Sequence, residues 1–359
     1  MRSPSSGAMK STAAAADSCQ AGGRLRFDPE RRQVFVIGNE AADADSLVSA
    51  YVTARILDSA EVQAIGIAQI PRRECRLRGD VLALFRRAGS AIDEGGAPTG
   101  LFFWDDLDWK AVDALPNRRV VLTDHNMLSP AVAEHFDDSA VEWIIDHHKD
   151  SGCHAEAKRD LDEALGSACS IVAEQLGSKA SSEHGVLLAG VILLDTRNFD
   201  PKEKKGTARD QAALDLLAAF LPPEGSAAWY TSLMEARHDV SHLSAGELLA
   251  VDLKAPSTRE GHAVGFASVP MSLPKVLEKV GGAEALATTC RSFACERGFA
   301  AVVALFSKDA EGRKGLALVA REAQGPGRSI CDSIIQSLQG TPGNISGPFL
   351  SNPLFEAQG

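Results

Sequence analysis

Short apolar runs recur through the first two thirds of the chain, each followed by a polar or acidic turn and then by a stretch with helical spacing. Val34-Phe35-Val36-Ile37 is the first, and Leu47 to Leu57 keeps helical spacing beyond the acidic turn that separates them. Val62 to Ala68, Leu101 to Trp104, Val120 to Leu122 and Val141 to Ile145 repeat the pattern, with helical stretches between. Continuous apolar strands alternating with helices predict a parallel sheet covered on both faces. Further helices are predicted over Ala168 to Leu176 and Glu183 to Leu194, and another from about Ala208 to Phe220 after the polar segment Asp200 to Gly206. Pro222-Pro223-Glu224-Gly225 is the strongest break in the chain. Past it, helical segments near Leu233 and over Gly246 to Val251 precede strand-like Val264 to Val269, Ala300 to Phe306 and Gly315 to Val319. The fold class expected is therefore α/β with two domains, a parallel-sheet domain over residues 28–221 and a smaller α/β domain over 226–359. Residues 1–27 are rich in Ser, Ala and Gly without an apolar period and read as a disordered tail.

At 359 residues the chain is long enough for two cores, with a cleft between them. No apolar stretch approaches the roughly 18 residues that span a bilayer, and the longest, Gly185 to Leu194, runs straight into Asp195. A formal charge of −11 argues against non-specific nucleic-acid binding, which needs clustered cations. It also repels polyanionic substrates unless metal ions or local basic residues reverse the sign. Arg72, Arg73, Arg76 and Arg78 could do so, or could form a solvated face. Seven scattered cysteines with no C-x-x-C pair favour a reduced, cytoplasmic protein, and Cys153 reads as an inert thiol. The tail carries Arg2 and Lys10 but no secretory apolar core, which leaves organelle targeting open.

Four segments concentrate the chemistry, each directly after an apolar run: Asn39-Glu40-Ala41-Ala42-Asp43-Ala44-Asp45, Asp124-His125-Asn126, Asp146-His147-His148 and Leu194-Asp195-Thr196. Carboxylates and imidazoles delivered from the ends of several strands to one sheet edge can hold two divalent ions a few ångströms apart, the geometry that hydrolyses phosphate bonds. Each signal alone has a plainer reading. Asp43 and Asp45 could be a turn or a helix cap, and Asp124 a capping residue. His125 could support a ligand from behind or be a satisfied core histidine, and is left open. His147 and His148 could be a surface pair, with Asp146 orienting one ring from behind. Four such coincidences in one chain make the metal site the better reading.

With those residues laid out, the chain resembles the DHH phosphoesterase superfamily, and its Gly38 to Ser46 segment resembles the exopolyphosphatase and prune group. Glu235 to Lys254 is similar to the opening of the second type of DHH-associated C-terminal domain. The resemblance covers roughly Gln33 to the end and implies an active site in the cleft between two domains. It implies metal ligands Asp43, Asp45, Asp124, His147 and Asp195, with Asp124 bridging: Asp43 and Asp124 serve one ion, and Asp45, Asp124, His147 and Asp195 the other. Asn39 and His148 would face phosphate oxygens as catalytic and substrate-binding groups, with Lys254 and Arg78 as further substrate contacts. Family II inorganic pyrophosphatases carry a His where this chain has Asn39. An oxygen-rich site of this kind suits Mg²⁺ better than Mn²⁺ or Co²⁺, with up to two ions. The expected function is an exopolyphosphatase that releases terminal orthophosphate from short inorganic polyphosphate. The alternatives are an inorganic pyrophosphatase, a cyclic-nucleotide phosphodiesterase or a non-catalytic prune-like interaction protein. Family members tend to carry a basic Ser-Arg-Lys-like segment near the C-terminus, whereas Gly347 to Gly359 has no Lys or Arg, so Arg321 or Arg328 is the substitute the sequence offers.

Overall fold

The computed structural model describes residues 25–177 and 180–339. Residues 1–24 of the expected tail and the Gly347 to Gly359 segment lie outside that range. By internal contacts the chain divides into a first unit ending at Arg237 and a second beginning at His238.

Six strands build the first unit: β1 (Arg32–Ile37), β2 (Val62–Ala68), β3 (Leu101–Phe103), β4 (Arg119–Thr123), β5 (Val141–Asp146) and β6 (Lys158–Leu161). All pair in parallel, in the order β3-β2-β1-β4-β5-β6. The chain winds outward from β1 to β3, then returns to lay β4 on the other side of β1. Connections leave β1 and β4 in opposite directions, which opens a crevice above their C-terminal ends.

Side-chain alternation sorts the strand residues between two cores. Val34, Val36, Val121 and Ile145 join one apolar cluster, while Phe35, Ile37, Val120, Leu122 and Ile144 join the other. Helices α1 (Ala44–Leu57) and α2 (Gly79–Arg87) cover the first face. Two short helices, α3 (Trp109–Asp113) and α4 (Pro130–Ala133), contribute Val112 and Val132 to the second. Helices α5 (Ala168–Leu176), α6 (Ser182–Asp195) and α7 (Ala208–Leu216) complete the first layer. α6 is buried almost throughout from Leu187 to Leu194, and a Cβ on its Gly190 would press into the Leu84 and Trp229 side chains. Gly38, just past β1, is needed for a similar reason: a Cβ there would sit 2.8 Å from the Ser46 carbonyl oxygen at the start of α1.

The Pro222 to Gly225 break is a turn before α8 (Ser226–His238), and α8 buries Trp229 and Leu233 in the first unit's core. The unit boundary therefore falls about one helix later than the proline-rich turn, because an apolar helix face sets it. The second unit contains α9 (Ala245–Ala250), β7 (Leu253–Lys254), β8 (Val264–Ser272), α10 (Leu273–Val280), α11 (Ala283–Arg297), β9 (Ala301–Lys308), β10 (Lys314–Ala320) and α12 (Pro326–Gln339). Its strands run in the order β10-β9-β8-β7, with β8 and β9 parallel and the edge pairs antiparallel.

Of the Arg72 to Arg78 run, Arg73 is exposed while Arg72 and Arg78 are tied into the protein. Arg72 pairs with Asp93 and Asp106, and Arg78 donates to the carbonyls of Ala41 and Ala42, both at 2.9 Å. Arg78, expected to contact substrate, staples the backbone of the acidic loop after β1.

Candidate metal centre

The loops after β1, β4 and β5 and the C-terminal end of α6 meet at one cavity of about 230 Å³ above the crevice. Asp43, Asp45, Asp124, His147, His148 and Asp195 all line it. Asp195 arrives from a helix end and Asp45 from the first turn of α1, so strand ends alone do not build the site.

Each ligand candidate is held by neighbours. Asp43 caps α1, its side chain accepting from Ser46 N–H at 3.1 Å. Asp45 accepts from Ser167 Oγ at 2.9 Å, Ala168 N at 2.7 Å and Cys169 N at 2.9 Å, which fastens it to the exposed donors at the start of α5. Asp124 occupies the left-handed region at φ 62° immediately after β4, a conformation that costs a non-glycine residue about 1–3 kcal/mol. Its N–H to Ile145 O bond of 2.9 Å and the Asn39 amide, 2.7 Å from its Oδ2, fix it there.

Asn39, expected to face phosphate oxygens, has its amide engaged by neighbouring protein groups. Its Nδ2 is given to Asp124 and its Oδ1 accepts from Ala42 N–H at 3.1 Å, so it positions the carboxylate. His125, left open by the sequence, turns its Nδ1 to Thr123 O at 2.9 Å and does not line the cavity. Asp146 stands behind the histidine pair: its Oδ1 accepts from His147 N at 2.8 Å, His148 N at 3.1 Å and His148 Nδ1 at 2.8 Å. His147 Nδ1 lies 3.0 Å from Leu165 O, an acceptor only, so that nitrogen carries the proton. Its Nε2 lone pair then faces Asp124 Oδ1 at 3.3 Å and Asp45 Oδ2 at 3.5 Å.

A lone pair and several carboxylates cannot share a cavity without a proton or cation between them. The titration directions express that conflict. Burial, then Asp45 and Asp43, push the Asp124 and Asp195 carboxyls well above the usual carboxylate range. Asp43 opens to the cavity yet is ringed by protein, and burial followed by Asp45 raises it too. Burial would lower the His147 imidazole, but Asp45 and the Leu165 carbonyl hold it above its ordinary value. Two buried oxygens, Asp124 Oδ1 and Asp195 Oδ2, have no hydrogen-bond donor. Donor atoms of Asp124, His147 and His148 lie within 4.8 Å of one another. Carboxylate oxygens and an imidazole nitrogen left without donors fit a divalent cation.

Sequence reasoning missed three cations that line the same cavity: Arg197, Lys205 and Arg237. Arg237 bonds the buried Asp80 through Nε at 2.6 Å. Arg197 and Lys205 sit in no motif, while Arg237 falls within the Glu235 to Lys254 segment, whose resemblance could have drawn notice to it. Lys254 lies exposed on β7 of the second unit.

The DHH family, N-terminal domain model matches residues 33–196, and the DHHA2 domain model residues 231–343. A Schizosaccharomyces pombe protein named "Putative exopolyphosphatase" is 32% identical over 321 residues, covering 84% of this chain and 79% of that protein. Exopolyphosphatase PRUNE1 of Bos taurus is 30% identical over 292 residues, covering 79% of this chain and 62% of that protein. The chain thus spans less than two thirds of the length of this mammalian relative. Among solved structures, the "Methanococcus jannaschii putative family II inorganic pyrophosphatase" aligns with a TM-score of 0.49 and 19% identity, over 80% of this chain and 88% of that one. No helix among the described residues is long and apolar enough to cross a membrane.

Proposed function

The chain belongs to the DHH family, with a DHHA2 domain after the DHH domain, and from that premise we propose that it is a metal-dependent phosphoanhydride hydrolase of the exopolyphosphatase type. The reading rests above all on the two donorless buried oxygens of Asp124 and Asp195, which meet the free nitrogen of His147 at one cavity. Its substrate is short inorganic polyphosphate, cleaved at the terminal anhydride bond.

A divalent ion held there supplies Lewis-acid activation of water and screens the phosphoryl oxygens. The metal ligands would be Asp43, Asp45, Asp124, His147 and Asp195, with Mg²⁺ favoured because oxygen donors outnumber nitrogen. Asp124, held by Asn39, presents Oδ1 into the cavity and can bridge. Asp146 fixes the His148 ring by its Nδ1, which leaves Nε2 to meet a phosphoryl oxygen at the cavity mouth. No nucleophilic side chain is required, because water attacks in line and the leaving phosphate departs toward solvent. The described cysteines are all unpaired, which supports a reduced, cytoplasmic setting.

The test is a phosphate-release assay with tripolyphosphate, longer polyphosphate, pyrophosphate and cyclic nucleotides under Mg²⁺, Mn²⁺ or Co²⁺. Release from tripolyphosphate with Mg²⁺, faster than from pyrophosphate, is expected. Absence of release from any phosphoanhydride under every ion would reject the reading.

A further inference from the structure

Directly after Asp195, three consecutive non-glycine residues lie in the left-handed region: Arg197 at φ 53°, Asn198 at 52° and Phe199 at 56°. Lys204, at 51°, repeats the conformation on the same segment. Each such residue costs about 1–3 kcal/mol, so a run of three persists only where surrounding contacts enforce it. Phe199 packs tightly against Gly206, where a Cβ would be 2.5 Å from its ring, and its N–H bonds Thr196 O at 3.0 Å. The Lys205 backbone is held as closely: a Cβ on Gly166 would lie 2.6 Å from its carbonyl oxygen. The segment is thus fixed in an unfavourable shape whose product is two cations at the metal cavity, Arg197 and Lys205.

Neither cation has a structural duty that accounts for it. Among the described residues Arg197 makes no ion pair, and its one polar contact is Met234 Sδ at 3.8 Å. Lys205 is exposed and its ammonium has no partner among the described residues. Arg237, the third cation at the cavity, is matched by Asp80. With Arg237 matched, Arg197 and Lys205 face four lining carboxylates, Asp43, Asp45, Asp124 and Asp195, so the cavity is net negative before two ions bind. Once divalent ions enter, the cavity is net positive, and Arg197 and Lys205 repel those ions while drawing in anions.

We propose that Arg197 and Lys205 form an anion clamp in the first unit that holds the non-transferred phosphates of a condensed phosphate chain beside the metal centre. This rests on the hydrolase reading and supplies, within the first unit, a cationic contact for substrate at the metal cavity itself. Arg197 can span two phosphoryl oxygens with its planar guanidinium, while Lys205, on the exposed rim, offers a mobile point charge to the next phosphate.

The experiment compares Arg197→Gln, Arg197→Lys and Lys205→Ala with the unaltered full chain. Steady-state kinetics use tripolyphosphate at saturating Mg²⁺, and calorimetry measures Mn²⁺ affinity without substrate. Loss of one charged hydrogen bond should raise KM about tenfold or more, with a smaller change in kcat. Arg197→Lys should recover part of the loss. Mn²⁺ affinity should stay equal or tighten, because a repelling charge has gone. A purely structural role would weaken metal binding along with KM, and that result, or an unchanged KM in either charge-removing variant, overturns the proposal. Lys205→Ala removes an exposed, unpartnered group, so folding does not confuse the outcome. Should the unaltered chain release no phosphate, the hydrolase reading fails on its own, and calorimetric binding of tripolyphosphate to the Mn²⁺-loaded protein then decides the clamp. Binding weakened about tenfold in Lys205→Ala sustains it, and equal binding overturns it.

Discussion

Both polar ends of the Asn39 amide are engaged, one by Asp124 of the loop after β4 and the other by the Ala42 N–H of its own loop. A residue that holds a ligand from behind acts on the metal through orientation, and losing such a contact typically costs 10–100-fold in affinity. Asn39→Ala should therefore weaken Mn²⁺ binding by about that factor in calorimetry while the fold survives, because Gly38 and Arg78 still secure the loop. Unchanged Mn²⁺ affinity would return Asn39 to the substrate-facing part that the motif resemblance gave it. The same lesson holds for Arg78. A motif position identifies which residues gather near a site but not which way each one points, since direction depends on backbone carbonyls that come near only after folding.

Helix α1 joins the site to the core, with Asp43 as its cap, Asp45 in its first turn and Tyr51 further on, its ring edge-on to Phe85 of α2 and its hydroxyl donating to Glu183 of α6 at 2.8 Å. Burial, with Glu183 adding, pushes the Tyr51 phenol up to about 12. The unfolded value is about 10, so the folded chain keeps this proton longer. The stabilisation is fully present below about pH 10 and is lost as pH rises through the folded value, to the extent of roughly 2–3 kcal/mol. Urea denaturation at stepped alkaline pH should show Tyr51→Phe with a shallower decline than the unaltered chain above about pH 10, and equal slopes would refute the coupling. Elements with apolar strands or sustained helical spacing were legible in the sequence: β1, β2, β4, β5, α1, α5 and α6 fall where the pattern puts them. β6 was not, because Lys158-Arg159-Asp160-Leu161 is a polar edge strand, its Lys158 ammonium lying over the Trp143 ring 3.9 Å from the centre. β7 escaped because it is two residues long, and α11 because its small and polar residues carry little periodic signal, whereas the amphipathic α10 and α12 have a helical pattern that was not read.

In the whole molecule, one reversal of strand order accounts for the place of the chemistry. The chain leaves β1 toward β2 and re-enters at β4, so the loops carrying Asn39 to Asp45 and Asp124 face each other across the crevice, with the histidine pair beside them on β5. α6 and the start of α5 close the set by bringing Asp195 and the donors that hold Asp45. The acidic and imidazole members were readable because each follows an apolar run. Arg197, Lys205 and Arg237 were not, because their approach depends on a left-handed turn and on α8 folding back onto the first unit. On this reading Asp124 unites these groups around divalent ions. Calorimetric titration of Mn²⁺ into the metal-stripped full chain, beside Asp124→Asn, tests it most directly. Saturable binding by the unaltered chain, weakened at least about 100-fold by the substitution, is the predicted result, since a shared ligand counts for more than a supporting one. Equal Mn²⁺ binding by both proteins would contradict it.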